Sequence, residues 1–279
     1  MGNAIRWLKD YIIHIDPDTP EKEAKDDICT AIDMFIRERV TVADTAIAST
    51  ACAKIRDGST IVTFAKSSIV EKVLLQAHQQ GKKFKAIVVD SRPLFEGKNL
   101  VRSLARAGIQ TSYMLHTAAP HALKDADLVL LGAHAMMSNG RLYSRVGTAA
   151  IAMLAHSRDI PVIVCCESIK FTDRVALDSI VLNEIAPPDE LILPSTLQPS
   201  KVPAPSEQSK EKGEKSEGGD EKDATLVKWR DAQNLQLLNI LYDVTPAEYI
   251  NMVITEYGSL PPSSVPVVHR ISTERDVRT

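Results

Sequence analysis

The segment 128–156 constrains the fold more than any other part of this chain. It begins with an apolar run, 128–131, that has the length of a buried strand, and it ends in an Ala-rich helix that Gly147 and Thr148 would open. Asn139 and Gly140 between them predict a tight turn. In α/β proteins, ligands bind at the carboxyl ends of strands and near helix starts. We therefore expect any active site of this chain to lie here.

Alternating strands and helices surround this segment. Several of the strands are apolar on both faces, which is typical of a parallel sheet covered by helices. Ser68 and Glu71 predict a capping box at the start of the first of these helices. The predicted strands are 61–64, 84–89, 109–115, 128–131 and 162–166, and the main predicted helices are 68–80, 98–107 and 148–156. We predict an α/β fold with a doubly wound, mostly parallel, Rossmann-like sheet.

The two ends of the chain differ from this pattern. Helical spacing predicts a short helix at 4–14 and a helix of about thirty residues after Pro20, together a truncated helical domain over 1–57. Residues 198–225 are rich in Pro, Ser, Gly and charge, which predicts a disordered insertion. Beyond it we expect a helix at 246–256 and a strand at 265–271. The predicted domains are therefore 1–57, then 58–197 joined with 226–272, and finally a tail at 273–279.

Composition and missing motifs exclude several function classes. The net charge of −3 and the pI near 6.2 argue against a general binder of nucleic acid or of anionic membranes. No apolar run is long enough to cross a bilayer. The four cysteines contain no C-x-x-C pair, and the glycine-rich nucleotide fingerprints are absent. We expect no metal, no cofactor, no direct nucleic-acid contact and no membrane contact.

Polar residues that follow the predicted strands are the candidate site. Their cations and helix starts would suit a phosphate group. The same residues are also compatible with ordinary loops and helix caps, and spacing alone leaves both readings open. The candidates are Lys66, Ser67, Ser68, Arg92, His134, Asn139, Gly147 and Thr148.

Several long segments together carry a family resemblance. VVDSRPLFEGKNLVRSLARAGI, VLLGAHAMMSNGRLYSRVGTAAIAMLAH, IPVIVCCESIKF and LLNILYDVTPAEYINMVITEYGSLPPSSVPVV resemble the regulatory subunits (alpha, beta and delta) of eukaryotic translation initiation factor 2B. GAHAMMSNG and VCCESIKF are most similar to the delta subunit. The wider family includes ribose bisphosphate and methylthioribose phosphate isomerases, so the resemblance also allows a chemical comparison.

The resemblance implies a pocket without the isomerase machinery. The isomerases use a cysteine after the first strand and an aspartate in a Gly-Ala-Asp motif, because moving a proton between sugar carbons needs an acid and a base. The corresponding positions here fall at or beside Lys66 and at His134, and no partner carboxylate is evident. Arg92, Gly147 and Thr148 match the segments that hold phosphate in the family. We therefore expect a non-catalytic protein, with an isomerase or a phosphosugar-sensing module as the alternatives.

The resemblance also implies partners. We expect a cytosolic regulatory subunit of the guanine nucleotide exchange complex for initiation factor 2, bound to its alpha, beta, gamma and epsilon subunits and sensitive to phosphorylation of the factor's alpha subunit. Contacts with that alpha subunit are expected at Arg37, Glu38 and Val42, although a charge run is often only a solvated face. The expected subunit interface, whose side chains are equally compatible with core strands, consists of Leu235, Leu238, Ile240, Tyr242, Val265 and Val268.

Overall fold

Helices begin the chain. The computed structural model describes residues 2–179, 183–192 and 226–276. Helix α1 spans Gly2–Ile13, α2 spans Glu21–Ile36, and a π-helical segment at Arg37–Val42 joins α2 to α3 at Ala43–Lys54 without a break in helical backbone. The predicted long helix is therefore confirmed, with one irregular turn that the spacing did not indicate.

A seven-stranded sheet forms the centre of the described structure. Its strands in chain order are β1 (Thr60–Phe64), β2 (Lys85–Asp90), β3 (Gln110–Leu115), β4 (Leu128–Gly132), β7 (Val162–Cys165), β10 (Met252–Thr255) and β11 (Gly258–Leu260). Their spatial order is β11-β10-β7-β4-β1-β2-β3. Each neighbouring pair is parallel except β10 and β11. The predicted mostly parallel α/β sheet is confirmed.

Helices cover both faces of this sheet. One buried cluster includes residues of α3, α4 (Ser68–Gln79) and α5 (Gly97–Arg106), and the other includes residues of α6 (Ala119–Ala122) and α7 (Thr148–His156). Cys165 packs in the first cluster and Cys166 in the second. Adjacent residues of a strand point to opposite faces. The sheet is therefore doubly wound, as predicted.

A second, four-stranded sheet was not predicted. Its order is β8-β5-β6-β9, with β5 at Ala135–Met137, β6 at Leu142–Arg145, β8 at Phe171–Thr172 and β9 at Tyr242–Thr245. The turn predicted at Asn139-Gly140 joins β5 to β6, and Gly140 has a φ of 76°. The predicted turn therefore closes a hairpin between the predicted strand at 128–131 and the predicted helix at 148–156.

Two elements near the C-terminus were predicted wrongly. The helix expected at 246–256 is instead a short 3₁₀ turn followed by β10, because the β-branched Val253 and Ile254 are buried in parallel pairing with β7. The strand expected at 265–271 is helix α9, Val265–Asp276. Val265 and His269 are buried and Val267 is 55% exposed, which fits a helical period and not an alternating strand.

The start of α4 also differs from its prediction. The N-cap is Ser67, not Ser68, and no side chain caps this helix. The backbone N–H of Glu71 donates to the carbonyl of Ser67, and its carboxylate lies 3.5 Å from the Lys66 ammonium. The predicted capping box is therefore not formed, because Glu71 pairs with a lysine instead.

The chain divides into a larger unit, Met1–Asn183 with Tyr242–Thr279, and a smaller unit, Glu184–Leu241. The smaller unit contains α8 (Asp189–Ile192) and a 3₁₀ helix at Leu226–Asp231, joined by an ion pair of 2.7 Å between Asp189 and Arg230. The predicted domain boundaries stay a prediction, and the insertion at 198–225 lies outside the described residues. None of the described helices is both long enough and apolar enough to cross a bilayer.

Candidate functional site

A polar cavity of about 200 Å³ lies at the carboxyl ends of β1 and β4 in the larger unit. This is the edge at which parallel sheets bind ligands. Its walls are Phe64, Ala65, Lys66, Ser67, Ser68, Glu96, Gly132, Ala133, His134, Ser144, Arg145, Lys170 and Tyr242. Four of the eight predicted pocket residues, Lys66, Ser67, Ser68 and His134, line this cavity.

The backbone at the end of β1 is held in an unusual conformation. Ala65 has a φ of 54°, a left-handed conformation that non-glycine residues rarely adopt, and its N–H donates to the carbonyl of Val89 at 2.8 Å. Facing it, a Cβ added at Gly132 would come within 2.1 Å of Ser67 Oγ and 2.4 Å of Ser67 Cβ. The end of β4 therefore approaches the start of α4 so closely that only glycine fits at position 132.

His134 lies in an aromatic cluster. Its ring centroid is 4.6 Å from that of Tyr242 and 5.7 Å from that of Tyr143, and the two tyrosine rings stack at 4.8 Å. The Arg145 guanidinium lies over Tyr242 at 5.0 Å. Packing between rings stabilises the histidine in one orientation. The imidazole is therefore a packed part of the cavity wall.

Each lysine or arginine on the described cavity wall has a carboxylate neighbour. Arg145 donates two hydrogen bonds to Glu96, from Nε at 2.9 Å and from Nη2 at 3.0 Å. Lys66 lies 3.5 Å from Glu71. Such bidentate and paired contacts offset the positive charge that would attract a phosphate.

The third cation on this wall is Lys170, whose Nζ is 2.7 Å from Glu167 Oε2. The contact is therefore an ion pair. It leaves the described cavity wall with internally balanced charge.

The start of α7 is occupied by a carboxylate of the chain itself. Asp243 Oδ2 accepts hydrogen bonds from the N–H groups of Gly147 at 2.7 Å and Ala149 at 3.0 Å. Burial raises the pKa of Asp243 to about 6, and the two N–H donors act in the opposite direction. Thr148 Oγ1 donates to the carbonyl of Arg145 at 2.6 Å. The N–H group of Gly147, which was predicted to hold a phosphate, thus already serves Asp243.

The two remaining pocket candidates lie away from the cavity wall. The Asn139 amide donates to the carbonyl of Ala176 at 2.9 Å in the hairpin turn. Arg92 is exposed in the turn after β2. The sequence interpretation missed Glu96, Arg145 and Lys170. Of these three, Arg145 could most easily have been predicted from the sequence, because it stands two residues before Gly147, the N-cap of α7.

The predicted interface residues divide by burial. Leu238 is 58% exposed, whereas Tyr242 and Val265 are buried within this chain. The other three, Leu235, Ile240 and Val268, are partly buried. Leu238 is therefore the most exposed side chain of this set.

The predicted contact residues for factor 2 fall on the π-helical segment. Arg37 and Glu38 are exposed, and Val42 is 56% exposed. Met34 and Ile36 just before them are also exposed apolar side chains. π-Helical turns occur frequently at functional sites. The segment therefore combines charge, exposed apolar surface and an irregular backbone.

Among the described residues, no group of three or more His, Cys, Asp and Glu is placed to hold a metal ion.

Comparison with known proteins relates this geometry to a family. Translation initiation factor eIF2B subunit delta of Schizosaccharomyces pombe is 41% identical over 268 residues, 96% of this chain and 53% of that protein. The crystal structure of the tetrameric eIF2B-beta2-delta2 complex from C. thermophilum matches with a TM-score of 0.71 and 35% identity, covering 92% of this chain and 69% of that chain.

An enzyme is also similar to this chain. Ribose 1,5-bisphosphate isomerase of Pyrococcus furiosus is 32% identical over 209 residues, 75% of this chain and 55% of that protein. The chain spans about half the length of the curated relatives it matches. A family model described as the initiation factor 2 subunit family matches residues 1–262. The chain belongs to the initiation factor 2 subunit family.

Proposed function

We propose that this chain is a non-catalytic, delta-type regulatory and scaffold subunit of the exchange factor for initiation factor 2. The main support from the structure is the internal charge balance of the cavity, where Lys66, Arg145 and Lys170 each face a carboxylate of the same chain. Similarity to delta subunits over nearly the whole chain supports the same role. Binding to other proteins, rather than turnover of a phosphosugar, is then its activity.

The proposed partners are the alpha, beta, gamma and epsilon subunits of factor 2B and factor 2 itself, in the cytosol. The similar beta2-delta2 complex supports the beta subunit as a direct neighbour. We place the contact with the factor 2 alpha subunit on the π-helical segment, where Arg37, Glu38 and Val42 are exposed. Phosphorylation of the factor 2 alpha subunit adds negative charge, so it should strengthen a contact with Arg37 and weaken a contact with Glu38.

A pull-down from cytosol tests this proposal. The tagged chain, incubated with phosphorylated or unphosphorylated factor 2, is expected to retain the beta subunit in both cases and to retain factor 2 in a phosphorylation-dependent amount. Glu38→Lys should change factor 2 retention by about tenfold, because it reverses a charge at the contact. Retention of the beta subunit should not change.

The matched control is Glu23→Lys, which makes the same charge change on an exposed residue of α2. Equal effects of both variants on factor 2 retention would refute the placement on the π-helical segment. Failure of the wild-type chain to retain any of the subunits would refute the subunit role as a whole.

The alternative function is a sugar-phosphate isomerase with a substituted catalytic pair. One observation favours it: Glu71 lies 3.5 Å from Lys66, so a carboxylate does stand beside the position where the enzymes carry their cysteine. Incubation with ribose 1,5-bisphosphate, followed by chromatography for a ketose product, decides between the two. We expect no product, and turnover that Lys66→Ala abolishes would replace the scaffold proposal.

A further inference from the structure

A basic groove lies at the opposite edge of the main sheet from the cavity. There the first residues of three strands stand side by side, with Lys85 of β2 between Thr60 of β1 and Gln110 of β3. The groove has a volume of about 440 Å³, and its walls include His78, Lys82, Lys83, Lys85 and Gln110. Parallel sheets place their ligand sites at the carboxyl edge, so this groove is separate from the site described above.

Two lysines of this groove have no ion-pair partner among the described residues. Within residues 2–179, 183–192 and 226–276, no carboxylate forms an ion pair with Lys83 or Lys85. Two carboxylates at this edge accept hydrogen bonds from backbone and form no ion pair with either lysine: Asp57 accepts the N–H of Lys83 at 2.6 Å, and Asp127 accepts the N–H of Thr60 at 2.8 Å. Lys83 is exposed and Lys85 is half-buried, on a chain whose net charge is −3.

Lys82 has a different role, which fixes the loop that carries these lysines. Its ammonium donates to the carbonyls of Cys52 at 2.6 Å and Ile55 at 2.8 Å, at the C-terminal end of α3. A cation at this end of a helix is favourable because it complements the helix dipole. The loop is thus anchored, and Lys83 and Lys85 are presented from a fixed backbone.

Two features of this surface fit an extended polypeptide as the ligand better than a small ion. Strand β3 is at the edge of the seven-stranded sheet; Gln110 and Leu115 at its ends are exposed, and the four residues between them are half-buried. An edge strand has one row of backbone groups that can pair with an added strand. The turn at Gly81 beside it is open, since a Cβ there would meet no atom within 4 Å. Gln110 belongs both to the groove wall and to β3, so the groove and the edge strand are continuous.

We propose that this groove and the start of β3 bind an extended acidic segment of a partner protein. Lys83 and Lys85 would pair with its carboxylates, and the free edge of β3 would pair with its backbone. This surface is independent of the proposed subunit role, and its test uses a readout that does not involve factor 2 or the other subunits.

The probe is a fluorescent Glu- and Asp-rich peptide, and the readout is anisotropy at low ionic strength, where charge contacts are least screened. The wild-type chain should bind it, and the double variant Lys83→Glu with Lys85→Glu should bind about tenfold more weakly, because two attractions become repulsions. The control is Lys9→Glu with Lys22→Glu, the same charge change on two exposed lysines of α1 and α2. This control should bind nearly as the wild type does.

Three outcomes would overturn the proposal. These are absence of binding by the wild-type chain, equal loss in both double variants, or displacement of the peptide by inorganic phosphate at the same concentration. The second outcome would mean nonspecific attraction, and the third would mean an ion site. Circular dichroism of each variant establishes that it is folded before binding is compared.

Discussion

Asp243 gives the sharpest test of how the site is held together. Its carboxylate is buried against the start of α7, and its pKa is raised from the ordinary value of 3.8 to about 6. Burial disfavours the charged form more than the N–H groups of Gly147 and Ala149 favour it. The difference between the two pKa values corresponds to about 3 kcal/mol in the free energy of unfolding.

The sign follows from proton binding. Between pH 3.8 and about 6 the folded chain binds this proton more tightly than the unfolded chain does. The stabilisation by the protonated group is therefore complete below pH 3.8 and is lost as the pH rises to about 6. Asp243→Asn cannot titrate and keeps an oxygen that accepts from Gly147. The stability of this variant relative to wild type should therefore rise by about 2.5 kcal/mol from pH 4 to pH 7.

Urea unfolding of both proteins at a series of pH values, followed by circular dichroism, measures this difference. Other titrating groups are common to the two proteins and cancel. Asp243→Ala is the second variant, and it should lose about 1–3 kcal/mol because buried N–H groups are left unpaired. A stability difference between wild type and Asp243→Asn that does not vary with pH would refute the reasoning. A difference that changes in the opposite direction would show that the helix start favours the charge more than burial opposes it.

Two further predictions concern the cavity. Gly132→Ala should destabilise the chain by about 2–4 kcal/mol in thermal or urea unfolding, because its Cβ would overlap the Cβ of Ser67; Gly2→Ala, where nothing lies within 4 Å, should change stability by less than about 0.5 kcal/mol. Glu96→Gln should lower the free energy of unfolding by about 1 kcal/mol, because Arg145 loses a charged partner. The released Arg145 should then bind inorganic phosphate, measured as a thermal shift that the wild type lacks. A phosphate shift of equal size in wild type would show that the cavity is not balanced internally.

The core of the fold could be predicted from periodicity because its signals are local. Strands β2, β4 and β7 contain continuous apolar runs of four residues, and such runs predict buried parallel strands. The prediction for the C-terminal elements was wrong for a physical reason. The segment that became β10 has an apolar pattern compatible with both helix and strand, and its pairing with β7 decided the outcome. Pairing with a strand about ninety residues away cannot be inferred from the pattern of a short stretch of sequence.

The same reasoning explains which parts of the site the sequence interpretation missed. Lys66 and His134 follow strands directly, so fold rules alone place them at the carboxyl edge of the sheet. Glu71 beside Lys66 is equally local in the sequence, but two other carboxylates of the site come from distant positions: Glu96 is 49 positions from Arg145, and Asp243 is 96 positions from Gly147. A motif shows which cations converge on a pocket, but the charge of the pocket depends on the acids that the fold adds. Whether this pocket can take an anion is therefore decided by how the fold pairs its cations with acids, and Glu96 is the position at which one cation, Arg145, can be released.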